Sequence, residues 1–322
     1  MMSASGLCVL SGLDPLNFVP HAVHGQDRNW PETNCYTDLW IEILNARGFD
    51  PRAALAFTAA QDFEGDHFTF FKYPLEDLEA AYGLSVQELS IFDRVETHIA
   101  QQMQRGRLAL VEVDSFYLPD TRGVSYQLEH TKTTIAINRL DVAAREVDYF
   151  HNAGYFTASG DDYDGIFQKL PHQQRDDNLF PYVEFVKFGT AAGLPQSALL
   201  AKHLAKRPAT NPLSEFAKVI VAQVEDVAAR EPAYFHKYAF NTLRQVGANF
   251  ELLAAHLQWM GEQGESGLEA AIASCEQIAS SAKAYQFQLA RAVARKKFEP
   301  LVAQLEPMIA AYDSVMNALS SR

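Results

Sequence analysis

The sequence has only three cysteines in 322 residues. Cys8, Cys35 and Cys275 lie far apart, and none belongs to a Cys-x-x-Cys or Cys/His ligand spacing. That pattern argues against a disulfide framework and a structural zinc site, and it fits a reducing, cytoplasmic setting. Positive charge is also scarce. The 27 Lys and Arg are outnumbered by 40 Asp and Glu, for a net charge of −13. Such a surface disfavours nucleic acid and anionic membranes as partners. No stretch approaches the ~20 uninterrupted apolar residues of a membrane helix. The first residues lack the basic and apolar regions of a signal peptide. There is no glycine-rich phosphate loop and no dinucleotide fingerprint, so no nucleotide or metal cofactor is expected. What remains is core material. Hydrophobic residues make up 48% and aromatics 11%, enough for one large or two medium domains.

The chain is organised around the stretch Asn29 to Leu44. Pro31 and the pair Thr33-Asn34 have loop and N-cap chemistry. Leu39, Trp40, Ile43 and Leu44 then recur at helical spacing, and Gly48 with Asp50-Pro51 ends the helix. Cys35 therefore falls in the first turn, facing unpaired backbone N–H groups and the positive end of the helix dipole. That position favours the thiolate, the form that reacts. A free cysteine is also a small buried hydrophobe in many cores, and this stretch alone leaves both readings open.

The patterning predicts an α+β domain over residues 1-170 and a helical domain over 171-322. An edge strand is expected near Leu7–Leu10. Further strands are expected at 67–73, 86–92, 108–114, 130–137 and 146–151, with helices at 75–82 and 93–105. Residues 152–156 read as a lead into the acidic loop 161–165. After a polar linker at 171–178, helices are expected at about 181–191, 195–206, 211–230, 232–262, 266–295 and 299–320. The first domain thus reads as helix first, then antiparallel sheet; the second reads as a bundle.

A thiol nucleophile needs a base and a group that orients the base. His130 opens a β-branched strand, and Asp148 lies on the next. Opposed residues of an antiparallel pair are roughly 5 Å apart at Cα, so a carboxylate there can hold the imidazole. Asp141, Asp114 and Asn152 compete for that role. The chain order Cys, His, Asp, with the cysteine heading a helix, is that of papain-like folds. The backbone N–H of Cys35 supplies one oxyanion donor. A side-chain amide six residues earlier supplies the second in such enzymes, which points to Asn29; Asn34 is its rival.

Five segments carry a family resemblance. They are Trp30 to Glu42, Ala60 to Asp66, Val111 to Thr121, His130 to Ile135 and Tyr149 to Tyr155. Together they resemble the DUF1839 family of bacterial proteins. More distantly, the cysteine helix and histidine strand are similar to the N-terminal domain of the butirosin biosynthesis protein BtrH, a papain-like acyltransferase. That likeness implies that Cys35 takes an (amino)acyl group from an acyl carrier protein thioester. His130 would then activate a small acceptor amine, or water. Asp114, Tyr117, Glu129, Lys132 and Asn152 would flank the cleft as substrate contacts, although a strand's solvent-facing residues look the same. The basic cluster Arg291, Arg295, Lys296 and Lys297 reads either as a dock for an acidic carrier or as a solvated helix face. Three readings follow: a cysteine acyltransferase, a cysteine peptidase or amidase, and a non-catalytic binding protein.

Overall fold

The structure is a computed structural model that describes residues 6–174, 180–191 and 196–320. It is mixed α and β: an antiparallel seven-stranded sheet in the N-terminal part, followed by helices. In chain order the elements are β1 (Leu7–Cys8), α1 (Cys35–Ala46), α2 (Leu75–Tyr82), β2 (Leu84–Glu88), α3 (Val95–Gln104) and β3 (Leu108–Asp114). Next come β4 (Lys132–Asp141), β5 (Glu146–His151), β6 (Gly154–Ser159), α4 (Asp161–Ile166) and β7 (Val183–Phe188). The helical part holds α5 (Gln196–Leu204), α6 (Pro212–Ala228), α7 (Pro232–Ala239), α8 (Gln245–Glu262), α9 (Glu269–Arg295) and α10 (Leu301–Ser320). Among the described residues no helix is long and apolar enough to cross a membrane.

The chain forms two compact units, and the division is not a single cut. The sheet unit comprises Met1–Ala22, Asn34–Pro51 and Leu75–Gly193. The helical unit comprises Val23–Thr33, Arg52–Pro74 and Leu194–Arg322. The sheet unit runs past the boundary expected at 170 because β7 belongs to the sheet. A helix was expected over 181–191, but β7 is a strand inserted between β2 and β3. Val183 and Val186 have the alternate burial partners Val111 and Leu108, which a helix would not provide. The linker residues Arg175 to Asn178 lie outside the described residues.

The sheet order is β2-β7-β3-β4-β5-β6, with β1 also pairing β4. Its two faces differ. Val111, Ile135, Tyr149 and Val183 point to one side, where they pack with Val95, Ile99 and Met103 of α3 and Tyr163 of α4. Alternation then puts Leu110, Ala136, Phe150 and Glu184 on the opposite side. There the Tyr36 hydroxyl of α1 donates to Glu184 Oε2 at 2.9 Å. β6 was read as a loop. It forms because Asn152, at φ 45°, and Ala153 make a tight turn that returns the chain as a hairpin.

In the helical unit, the aromatic run expected as a strand at 67–73 makes only an isolated bridge, Phe63 with Phe68. Both rings instead pack on Phe216 of α6, at 5.5 and 5.2 Å. Helices 232–262 are one run interrupted by a π-helical turn at Phe240–Arg244. The loop Arg28–Thr33 is held against α8 and α9. Glu251 accepts from the backbone N–H of Asn29 at 2.9 Å and of Trp30 at 2.7 Å. The Trp30 indole donates to the Ala279 carbonyl at 3.0 Å. Gly247 is required beneath it, since a Cβ there would lie 2.3 Å from the indole nitrogen.

His256 of α8 is wholly buried, and Nδ1–H donates to the Arg52 carbonyl at 2.8 Å. Burial, opposed by that bond and assisted by His203, pushes the imidazole down to about 4. The unfolded chain titrates near ~6.5, so it binds the proton first as pH falls. Stability is therefore full above ~6.5 and is lost as pH falls from there toward about 4. In urea titrations the wild type should lose about 2–3 kcal/mol more than His256→Gln between pH 7.5 and 4.5. Equal losses would mean that His256 takes its proton inside the fold.

Candidate active site

α1 begins as its sequence predicts. Asn34 has extended backbone, and its Oδ1 accepts from the Thr37 N–H at 2.9 Å. Cys35 is the first helical residue and is partly exposed. The helix packs on β4, β5 and β6. Its first turn is tied to Glu184 through Tyr36, and at its other end the Arg47 guanidinium sits 4.1 Å over the Phe188 ring. Its head, where Cys35 sits, is therefore the end nearer the sheet edge where β7 begins. β3 is antiparallel to β7 and ends at that edge, at Asp114; β4 starts there, at Lys132.

His130 lies at the same edge, two residues before β4. Its Nδ1 is 2.5 Å from Asp114 Oδ2, and its ring stacks on Phe116 at 4.4 Å between centroids. A carboxylate only accepts, so Nδ1 carries the proton in the neutral ring and Nε2 is left as the basic nitrogen. The side chain is 68% exposed, which leaves Nε2 accessible. The pair opens into a groove of about 380 Å³ lined also by Glu112, Lys132, Gln168, Phe180 and Pro181. Lys132 is held by Glu112 at 2.6 Å.

Asp148 is not the partner of His130. It sits opposite Arg139, whose Nε donates to it at 2.5 Å. Arg139 is seven residues along β4 from Lys132, roughly 23 Å at 3.3 Å per residue. The β4–β5 register explains the difference. β5 ends at His151, opposite the middle of β4, and turns back before reaching His130. The neighbour that does reach His130 is the end of β3. Asp141 bonds the Ala144 N–H in the β4–β5 turn.

The other expected residues are placed as follows. Asn29 belongs to the helical unit, and its Nδ2 approaches Glu251 Oε1 at 3.5 Å. Tyr117 is buried and its hydroxyl lies 2.9 Å from His172 Nε2; burial, helped by the Asp114 charge, pushes its phenol up. Glu129 is exposed on the turn before His130. Asn152 is a turn residue. Two further groups stand at this edge of the sheet. Phe116 is the stacking partner of His130, and Glu184 is a buried carboxylate that accepts from both Tyr36 and Tyr182 at 2.9 Å. Phe116 lies in a segment marked by the family resemblance; Glu184 was missed because its strand, β7, was expected as a helix. Among the described residues no three His, Cys, Asp or Glu are grouped to hold a metal ion.

The fold and this edge define a two-part protein, a helix-headed thiol and a carboxylate-held imidazole on an antiparallel sheet, followed by a helical unit. The chain belongs to the DUF1839 family: residues 19–188 match the DUF1839 N-terminal domain and residues 194–321 the DUF1839 C-terminal domain. No curated protein matches it.

Proposed function

We propose that the protein is a cysteine-dependent acyltransferase of papain-like design. It would move an (amino)acyl group from a carrier-protein thioester to an acceptor amine in the cytoplasm. The observation that carries this reading is the His130 imidazole held by Asp114 at 2.5 Å, on the same sheet as the helix that Cys35 heads and that Tyr36 ties to Glu184. In the first step the Cys35 sulfur attacks the thioester carbonyl as His130 Nε2 takes the thiol proton. The carrier C–S bond breaks, and the departing carrier thiolate receives that proton. The acyl group is now a Cys35 thioester. In the second step an amine attacks the same carbonyl and gives its proton to His130. The Cys35 C–S bond breaks, the amide is released, and the proton passes back to the thiolate. The Cys35 N–H lies among the unpaired donors of the helix start and supports an oxyanion there.

The exposure of His130 favours hydrolysis as the second reading, since water reaches the same nitrogen as an amine does. Mass spectrometry after incubation with an aminoacyl carrier protein separates the two. A Cys35 adduct that persists until an amine is added supports transfer. Rapid loss of the adduct without amine supports hydrolysis, and no adduct under either condition overturns both.

A further inference from the structure

On the other face of the sheet, beneath the turn that follows β3, lies a buried polar network that the proposed chemistry does not use. His151 Nδ1 is 2.6 Å from Asp120 Oδ2, and His151 Nε2 is 2.8 Å from the Thr133 hydroxyl. The Tyr149 hydroxyl donates to the other Asp120 oxygen at 2.6 Å. The side chains of His151 and Asp120 are 2% and 5% exposed. One assignment of protons satisfies every atom. Nδ1–H donates to the carboxylate, the Thr133 hydroxyl donates to Nε2, and Tyr149 donates to the remaining carboxylate oxygen. Burial and the neighbouring Asp120 charge push the Tyr149 phenol well up, which keeps it a donor.

Thr133–His151–Asp120 has the order of a nucleophile, base and orienting acid. With these side chains buried, a substrate has no path to the threonine. The network instead joins three pieces of chain. Thr133 is on β4, Tyr149 and His151 are on β5, and Asp120 is in the turn. That turn is where both holders of His130 originate. Asp114 caps its start by accepting from the Phe116 N–H at 3.1 Å, and Phe116 stacks on the imidazole. The Thr121 hydroxyl, next to Asp120, closes the turn by bonding the carbonyls of Ser115 at 3.1 Å and Leu118 at 2.9 Å. A fully satisfied buried network fixes one conformation, because any slippage leaves buried polar atoms unpaired.

We propose that Asp120 and His151 are positioning residues, which hold the Asp114–Thr121 turn on the sheet and through it set the orientation of the His130 imidazole. This rests on the reading of His130 as the base, but its physical content is separate: the ring orientation depends on a carboxylate on the opposite face. Asp120→Asn keeps one acceptor oxygen where the carboxylate has two, so it cannot serve the His151 Nδ1–H and the Tyr149 hydroxyl as Asp120 does, and it disturbs the arrangement with little change in volume.

The test is imidazole ¹⁵N NMR of the full chain, read alongside turnover. In Asp120→Asn and His151→Gln, the His130 Nδ1 resonance should lose the signature of a carboxylate-bonded N–H. The kcat should fall about tenfold while KM stays within about twofold, since binding groups are untouched and only the base is misplaced. Tyr149→Phe removes one donor and should move the His130 resonance in the same direction by less; it serves if the other variants do not fold. An unchanged His130 resonance in a folded variant whose network is broken overturns the proposal. If Cys35→Ala leaves turnover intact, the acyl-transfer reading falls, while the effect on His130 is still decided by its own resonance.

Discussion

Cys35→Ala should abolish acyl-adduct formation and lower turnover by at least ~10³-fold, with the melting temperature nearly unchanged. The size of the effect follows from what is removed. Without the sulfur no covalent intermediate forms, and the remaining groups contribute only binding and polarisation. The small change in stability follows from the position. Cys35 is partly exposed at the first turn, and the cap that starts the helix is made by Asn34 and Thr37 rather than by the thiol. Cys8 and Cys275 provide internal controls. Cys275 is completely buried, and burial pushes its thiol up, so it should resist iodoacetamide in the folded chain. Burial also pushes the Cys8 thiol up, with smaller opposing and adding contributions from Arg139 and Asp148. Peptide mapping after brief labelling at neutral pH should find Cys35 modified ahead of both. If Cys8 labels first and Cys35→Ala retains turnover, the thiol is not the nucleophile.

The second large effect separates two aspartates that the sequence left as competitors. Asp114→Asn should reduce turnover by about 10²–10⁴-fold, because the amide either loses the His130 bond or holds the ring in the wrong tautomer. Asp148→Asn should leave turnover within about twofold and lower stability by about 1–3 kcal/mol, because Arg139 then keeps a charge beside a group that no longer balances it. A coupled assay and a urea titration on each variant distinguish these outcomes. Loss of activity in Asp148→Asn with full activity in Asp114→Asn would reverse the assignment.

The contrast shows what a single sequence carries. α1 was legible because its signals are local: a polar cap at Asn34, helical spacing through Leu44, and Gly48 at φ 74° just beyond the end. β3, β4 and β5 were legible for the same reason. The partner of His130 was not local. Choosing between Asp114 and Asp148 required the register, and the register depends on where β5 stops and on a bulge between Ile137 and Arg139. β7 was missed because it follows a polar stretch and opens the alanine- and leucine-rich half of the chain, where helices were expected. Its role became visible only through its neighbours, β2 and β3. The network at Asp120 lay in three segments that stood out by resemblance. Their meeting is a property of tertiary structure, not of any one segment.

The way the chain divides between its units has a consequence for synthesis. Trp30 belongs with the helical unit, yet its indole is received by Ala279, 249 residues later. At the ~5–20 residues per second of translation, that partner emerges roughly 12–50 s after the tryptophan. In the last part of that interval β7 has been made and the sheet can close, while the indole still lacks its partner. Ribosome-bound chains arrested after β7 has left the ribosome but before Ala279 is made should therefore show a folded sheet with a solvent-exposed Trp30, a natural site for a chaperone to hold.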